Sequence, residues 1–326
     1  MPHTLAHPAT ATVKSAAVKP LYFALSERYV EPAASEAAAA WLRHQLDRVD
    51  RDGNHLPQGA DAFAALAQAH SETVGQQYHH YLAERKAGAP RRYFATRAQA
   101  LYFLQGVAPT KLVDGAWLFG LLPRWREPGV RPLITTYLEE LGNGVPENNH
   151  ALIYRELLEE HGCNQWQALG DEYFVQGLVQ LTLARHAHDF LPELIGYNLS
   201  YEQLPLHLMI TAFELDELGI DPHYFSLHMT ADNANNGHAR KAWEAAEQLL
   251  PQMGDSADFE RRIANGYRLG DLGVDPLAII DGFDLYAELA RILRAKGPRN
   301  ALSSEFCKIG GQSLRAWLQT GQPPAA

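Results

Sequence analysis

Residues 206–238 read LHLMITAFELDELGIDPHYFSLHMTADNANNGH, and their punctuation decides the fold class. Leu206 to Leu218 is apolar at helical spacing and stops at Gly219, a residue that favours helix C-termini. Asp221-Pro222 restarts the chain, with Asp as the N-cap and Pro at the first helical position. A second helix then runs into HMTADNANNGH, residues 228–238, whose three Asn and one Gly are mediocre or poor helix formers. That stretch carries two imidazoles and a carboxylate. His228 and Asp232 are four residues apart and share a helix face. His238 is displaced from His228 by about 80° on an ideal helix, and an irregular turn at Asn235-Asn236-Gly237 could bring it back.

The same helix-and-stop pattern extends in both directions. Trp41, Leu42, Leu46 and Val49 form one stripe, and Ala62–Ala69 and Val74–Ala87 form others. Ala98–Leu121, Leu133–Leu141 and Asn149–His161 are further helical candidates, the last stopped by Gly162. Residues 173–190 are apolar on most sides, as a central buried helix requires. Strand signals are few and there is no internal repeat. The expectation is an all-α, multi-helix bundle of roughly ten helices with additional N-terminal helices. Residues 1–20 read as a disordered lead, 21–90 as an N-terminal helical region and 91–320 as the main helical domain.

Composition narrows the function classes. The 326 residues are 46% hydrophobic and 20% charged, an ordinary globular balance. A net charge of −10 argues against a nucleic-acid partner held through its phosphates. Cys163 and Cys307 give neither a disulfide framework nor a cysteine-rich metal site. No apolar run reaches the ~18 residues of a membrane span. No compact apolar segment follows a basic start, so no signal peptide is expected and the location is read as cytoplasmic.

Three groups could carry chemistry. In YLEELGNGVPENNH, residues 137–150, Glu140, Glu147 and His150 follow one another at intervals of seven and three. On one continuous helix they would stay near a single face, although Gly142, Gly144 and Pro146 interrupt it. Glu147-x-x-His150 is the i, i+3 pair by which di-iron bundles present a carboxylate and an imidazole inward, and a solvated helix face is the ordinary alternative. The second group is His228, Asp232 and His238. The third is Asp114 in KLVDGAWLFGLL and Glu193 in FLPELIGYNL. A carboxylate in such surroundings must face solvent, pair with a cation or bind a metal, because an uncompensated buried charge is costly. Together these are five carboxylates and three histidines without cysteine, a donor set suited to iron or manganese.

At these residues the chain resembles the haem-oxygenase-like diiron oxidases and oxygenases, a family also described as iron-containing redox enzymes. The resemblance spans roughly residues 105–245, through APTKLVDGAW, LEELGNG…ENNHALIY, FLPELIGYNLSYE and YFSLHMTADNANNGH. It implies a haem-oxygenase-like helical bundle holding two Fe(II) per chain, with O2 as co-substrate. One iron would take Glu147, His150, Glu193 and His228; the other Asp114, Glu140, Asp232 and His238, with one or more carboxylates bridging. The sequence departs from the family pattern twice. Asp stands at position 114 where Glu is usual. The third core helix commonly reads His-x3-Asp-x2-His, but Asn235 occupies the last position here, which leaves His238 and Asn235 as alternatives.

The resemblance further implies O2-activating oxidation of a small amino-acid-like molecule in natural-product biosynthesis. N-oxygenation of an amine is the first expectation. Desaturation, oxidative decarboxylation or C–C cleavage of an amino or fatty acid is the alternative. A non-catalytic helical interaction protein is the alternative of another class. An external electron donor and a homodimer stay open. Arg155, Arg185 and Tyr197 are candidate contacts for a substrate carboxylate.

Overall fold

The computed structural model describes residues 17–51, 60–231, 237–250, 255–296, 308–309, 311–313 and 316. Within them the chain is all-α. The helices are α1 (Val18–Ser26), α2 (Pro32–Arg51), α3 (Ala60–Lys86), α4 (Arg97–Lys111), α5 (Arg131–Glu140), α6 (His150–Glu160) and α7 (Val175–Arg185). There follow α8 (Leu191–Tyr201), α9 (Leu206–Glu217), α10 (His223–Ala231), α11 (His238–Leu249), α12 (Ser256–Arg268), α13 (Pro276–Asp281) and α14 (Leu285–Lys296). Two-residue strands β1 (Lys308–Ile309) and β2 (Gln312–Ser313) pair antiparallel. Of the lead expected at 1–20, residues 1–16 lie outside the described residues. Val18 already begins α1, which buries Tyr22 and Leu25 and packs on α7.

Local sequence explains where the helices begin. Thr96 caps α4 by accepting from Gln99 N–H, Asn149 caps α6 by accepting from Leu152 N–H, and Asp275 caps α13 with Pro276 behind it. The helix expected over Ala98–Leu121 is two elements: α4 ends at Lys111, and a 3-10 helix occupies Ala116–Arg124. Gly115 makes the break. Its φ is +76°, and a Cβ there would lie 2.7 Å from the Cβ of Glu140. Only glycine allows both the left-handed turn and that approach.

The buried residues form two apolar clusters. One unites α1, α2, α5, α7, α8, α11 and α12 with the 116–124 helix, through residues such as Leu42, Trp117, Leu178, Leu194 and Ala242. The other unites α4, α6, α9, α10 and α13, through Phe103, Leu104, Tyr154, Leu215 and Tyr224. The central helix expected from 173–190 is α7, buried without interruption from Gly177 to Ala184.

The tightest crossing is that of α8 and α12. A Cβ on Gly196 would lie 1.8 Å from the carbonyl oxygen of Ile263, and one on Gly266 would lie 2.0 Å from that of Glu193. Backbone cannot yield as a flexible side chain can. Gly196→Ala is therefore expected to cost about 2 kcal/mol or more through helix displacement, read as a lower midpoint in thermal or urea unfolding.

Candidate metal centre

Asp114, Glu140, His150 and His228 offer ligand atoms that all lie within 4.8 Å of one another, and Glu140, Glu202 and His238 form a second such group. Glu140 belongs to both, so its carboxylate stands where a bridge between two metals would be. The six residues come from both sides of the seam between the apolar clusters. Glu140, Glu202 and His238 sit on or beside α5, α8 and α11; His150 and His228 sit on α6 and α10; Asp114 sits in the break after α4. All six are 6% exposed or less.

The break between α5 and α6 decides which residues of YLEELGNGVPENNH enter. Glu140 is the last residue of α5 and His150 the first of α6, with two short 3-10 turns between them. Gly142 and Gly144, both at positive φ, reverse the chain there. The reversal brings His150 Nδ1 to 2.6 Å from Glu140 Oε2. It leaves Glu147 exposed on the turn, in neither cluster. The single-helix phase that grouped Glu147 with Glu140 and His150 does not hold.

Neighbouring groups fix the orientation of the clustered side chains. His228 donates Nδ1–H to Tyr224 O at 2.9 Å, since a carbonyl can only accept, and this directs Nε2 to Asp114 Oδ2 at 3.2 Å. Tyr224 donates its hydroxyl to the same Asp114 oxygen. His238 turns Nδ1 to Glu202 Oε2 at 3.2 Å and Glu140 Oε1 at 3.3 Å, while its Nε2 meets Glu139 Oε2 at 2.9 Å. Glu139 in turn accepts from Lys241. Behind the cluster, Trp117 donates to Asn198 Oδ1 at 2.9 Å and Asn198 donates to His238 O at 3.3 Å. Carboxylates and carbonyls placed behind imidazoles in this way orient metal-binding histidines generally.

The donor set fits a cation. Asp114 Oδ1, both Glu140 oxygens, Glu202 Oε1 and His150 Nδ1 are buried without an aligned hydrogen bond. Buried polar atoms are rarely left so. Glu214 is the contrast: equally buried, its carboxylate accepts from Tyr81 O–H and from the backbone N–H groups of Arg92, Tyr93 and Phe94. The electrostatics agree. Burial, then the neighbouring Glu202 and Asp114 charges, push the Glu140 pKa up against the pull of His150. Burial works against His238 carrying charge, but Glu202 and Glu140 outweigh it and lift its pKa to about 9. Three carboxylates crowd one interior, a situation that bound cations relieve.

The structure thus brings together Asp114, Glu140, His150, His228 and His238 of the residues singled out in the sequence. Asp232 and Asn235 lie outside the described residues. Glu193 is the second displacement. It is buried, but in a bidentate pair with Arg262 at 2.6 and 2.7 Å, away from both clusters. Glu202 is the carboxylate from this stretch that enters the centre, in the group with Glu140 and His238 rather than in the group with His150 and His228 to which the reading assigned Glu193. Glu193 lies on α8 and Glu202 directly follows its last residue, nine positions on and about half a turn round the helix, so Glu202 faces the cluster and Glu193 faces α12. The stretch FLPELIGYNLSYE ends on Glu202; the pattern held the right residue, and helical phase alone did not choose between the two. Arg262→Ala is expected to lower stability by about 2 kcal/mol, less than for a fully buried pair because Arg262 is partly exposed, while metal content stays unchanged. A loss of metal in that variant would return Glu193 to the ligand set.

Arg185 donates to the carbonyls of Leu25 and Glu27, and Tyr197 donates to Gln176. Arg155 lines a separate cavity beside Tyr22 and Trp166. None of the three reaches the cavity that abuts His228. Cys163 is buried with its thiol pushed up to about 11 by that burial, which makes it a poor nucleophile. No helix among the described residues is long and apolar enough to cross a membrane.

A comparison with curated proteins finds no match. A family model described as iron-containing redox enzyme matches residues 101–271, just over half of the chain and the whole interval from Asp114 to His238. The haem-oxygenase-like helical bundle expected from the resemblance is the fold observed. With its buried carboxylate–imidazole clusters inside the matched span, the chain belongs to the iron-containing redox enzymes.

Proposed function

We propose that the protein is an O2-activating non-haem diiron oxidase or oxygenase acting on a small amino-acid-like molecule. The observation that carries this reading is the shared Glu140 between two buried donor groups, in which both Glu140 oxygens, Asp114 Oδ1 and Glu202 Oε1 lack aligned partners. One Fe(II) would be held by Asp114, Glu140, His150 and His228, the other by Glu140, Glu202 and His238, with Asp232 a further candidate. Bound iron would reduce O2 by two electrons at a dinuclear site, the remaining electrons coming from the substrate or an external donor.

The chain's own residues do the rest. Tyr224 and Glu139 hold His228 and His238 in the orientations that present a ring nitrogen to the metal. The two apolar clusters keep bulk water from the centre, which strengthens every charge interaction within it. Three carboxylates with three imidazoles and no thiolate suit non-haem iron with positions left for O2 and substrate. N-oxygenation of an amine is the reaction outcome we assign first, with desaturation, decarboxylation or C–C cleavage as the alternative. A cytoplasmic, natural-product role belongs to the same proposal.

Anaerobic Fe(II) titration with metal analysis and Mössbauer spectroscopy, before and after exposure to O2, tests this reading. Coupled ferric ions after exposure support it. Failure to bind iron in stoichiometric amounts overturns it in favour of a helical interaction protein, and a Soret band in the isolated protein overturns it in favour of a haem site.

A further inference from the structure

A cavity of about 450 Å³ lies apart from the one that abuts His228 and shares no lining residue with it. Its size is that of a small-molecule site. Val113 and Ala116 belong to its wall, so it touches the break that carries Asp114, but none of its lining residues belongs to the buried donor groups. Two aromatic pairs line it. Phe23 and Trp166 stack with ring centres 5.9 Å apart and planes at 24°, and Phe119 and Tyr137 meet edge to face at 6.3 Å. Phe119 is 47% exposed, so much of its ring has no protein against it.

The charge of this cavity is opposite to that of the chain. The chain carries −10, yet the lining holds Arg155 and Arg185 and neither Asp nor Glu. Both arginines are exposed. Arg155, on α6, makes no hydrogen bond or ion pair among the described residues. Arg185, the last residue of α7, uses Nη2 alone, on Leu25 O at 3.3 Å and Glu27 O at 3.5 Å. A guanidinium has five N–H donors in a planar fork, so most of the donors here are unspent. Two such forks beside aromatic faces match a ligand with a flat ring at one end and a doubly charged oxyanion at the other. A phosphate monoester carries about −1.5 to −2 charges at neutral pH and offers three oxygens, enough to engage both forks.

We propose that this cavity binds a mononucleotide. Its heterocycle lies on Phe119 and the Phe23–Trp166 pair, and its phosphate is held by Arg155 and Arg185 together. A flavin and a purine mononucleotide share this chemistry. The site is separate from the carboxylate–imidazole cluster and does not depend on iron being bound there.

The test is equilibrium binding of FMN, riboflavin, AMP and adenosine to the full chain, with and without anaerobically loaded Fe(II). FMN or AMP is expected to bind at least about tenfold more tightly than the same compound without its phosphate, because only the phosphate engages the guanidinia. The tighter of FMN and AMP identifies the heterocycle, and either result supports the assignment. Arg155→Met and Arg185→Met should each reduce the preference at least about fivefold, and the double variant should abolish it. Both side chains are exposed, so circular dichroism should show unchanged folding. Phe119→Ala should weaken the phosphorylated and unphosphorylated compounds by the same factor, about fivefold, since it removes ring contact alone. Binding of neither FMN nor AMP overturns the proposal, as does equal affinity with and without the phosphate. A preference that survives loss of both arginines places the ligand elsewhere, and a loss confined to one arginine overturns the two-fork seat. Phosphate-dependent binding seen only after Fe(II) loading would put the phosphate on the metal and overturn the assignment while sparing the diiron reading. The same binding in protein that takes up no iron does the reverse.

Discussion

Glu140→Gln is expected to empty both halves of the centre at once. Glu140 is the one residue common to the two donor groups, and glutamine removes both its charge and its capacity to bridge. Altering groups merely behind the ligands commonly weakens metal binding about 10- to 100-fold, so loss of a shared ligand should exceed that for both metals. Glu202→Gln should instead weaken only the group containing His238 and leave about half of the bound iron. Metal analysis after equilibrium dialysis separates the two outcomes. Circular dichroism of the metal-free variant separates metal loss from unfolding, since glutamine keeps the shape of the side chain but removes the charge that Glu140 offers His150 and His238. Equal iron loss in the two variants would contradict the assignment of Glu140 as the bridge.

The second large effect is an opposite response to pH with and without metal. In the metal-free protein the His238 pKa is raised from an ordinary 6.5 to about 9. A raised histidine contributes stability that is complete below the unfolded value and is lost as pH climbs through the folded one. Metal-free protein should therefore lose stability between pH 6.5 and 9, and His150, shifted in the same direction, adds to the slope. A metal ion must displace the proton from His238 to bind, so affinity at that group should rise by about tenfold per pH unit over the same interval. Thermal melts across the interval, with and without metal, should converge at acid pH and diverge as pH rises. Parallel curves would show that His238 does not exchange a proton for metal.

Several steps of the site were legible in sequence because they are local. Gly219 and Asp221-Pro222 mark one helix end and the next start whatever the surroundings, and they lie between α9 and α10. The apolar run at 173–190 had to be a central helix. Asp114, Glu140, His150, His228 and His238 each stood out as a polar group in an apolar or awkward setting, and all five meet. What failed was phase carried across an interruption. Glu147 fitted a helical face with Glu140 and His150, but Gly142 and Gly144 reverse the chain between them, and the residue faces solvent.

The sequence by itself determined the helical class, the helix boundaries set by caps and glycines, and the carboxylate–imidazole character of the cluster, since these follow from local propensity and donor identity. Only the tertiary structure decided which carboxylate of α8 enters the centre, because Glu193 and Glu202 differ only in the face they occupy, and that face is chosen by Arg262 and the close approach of α12. Only the fold could bring Asp114 to His228, residues 114 positions apart in the chain, with 3.2 Å between Oδ2 and Nε2. Such pairings depend on how two apolar clusters meet at a seam, and no local pattern of residues encodes the line along which they meet.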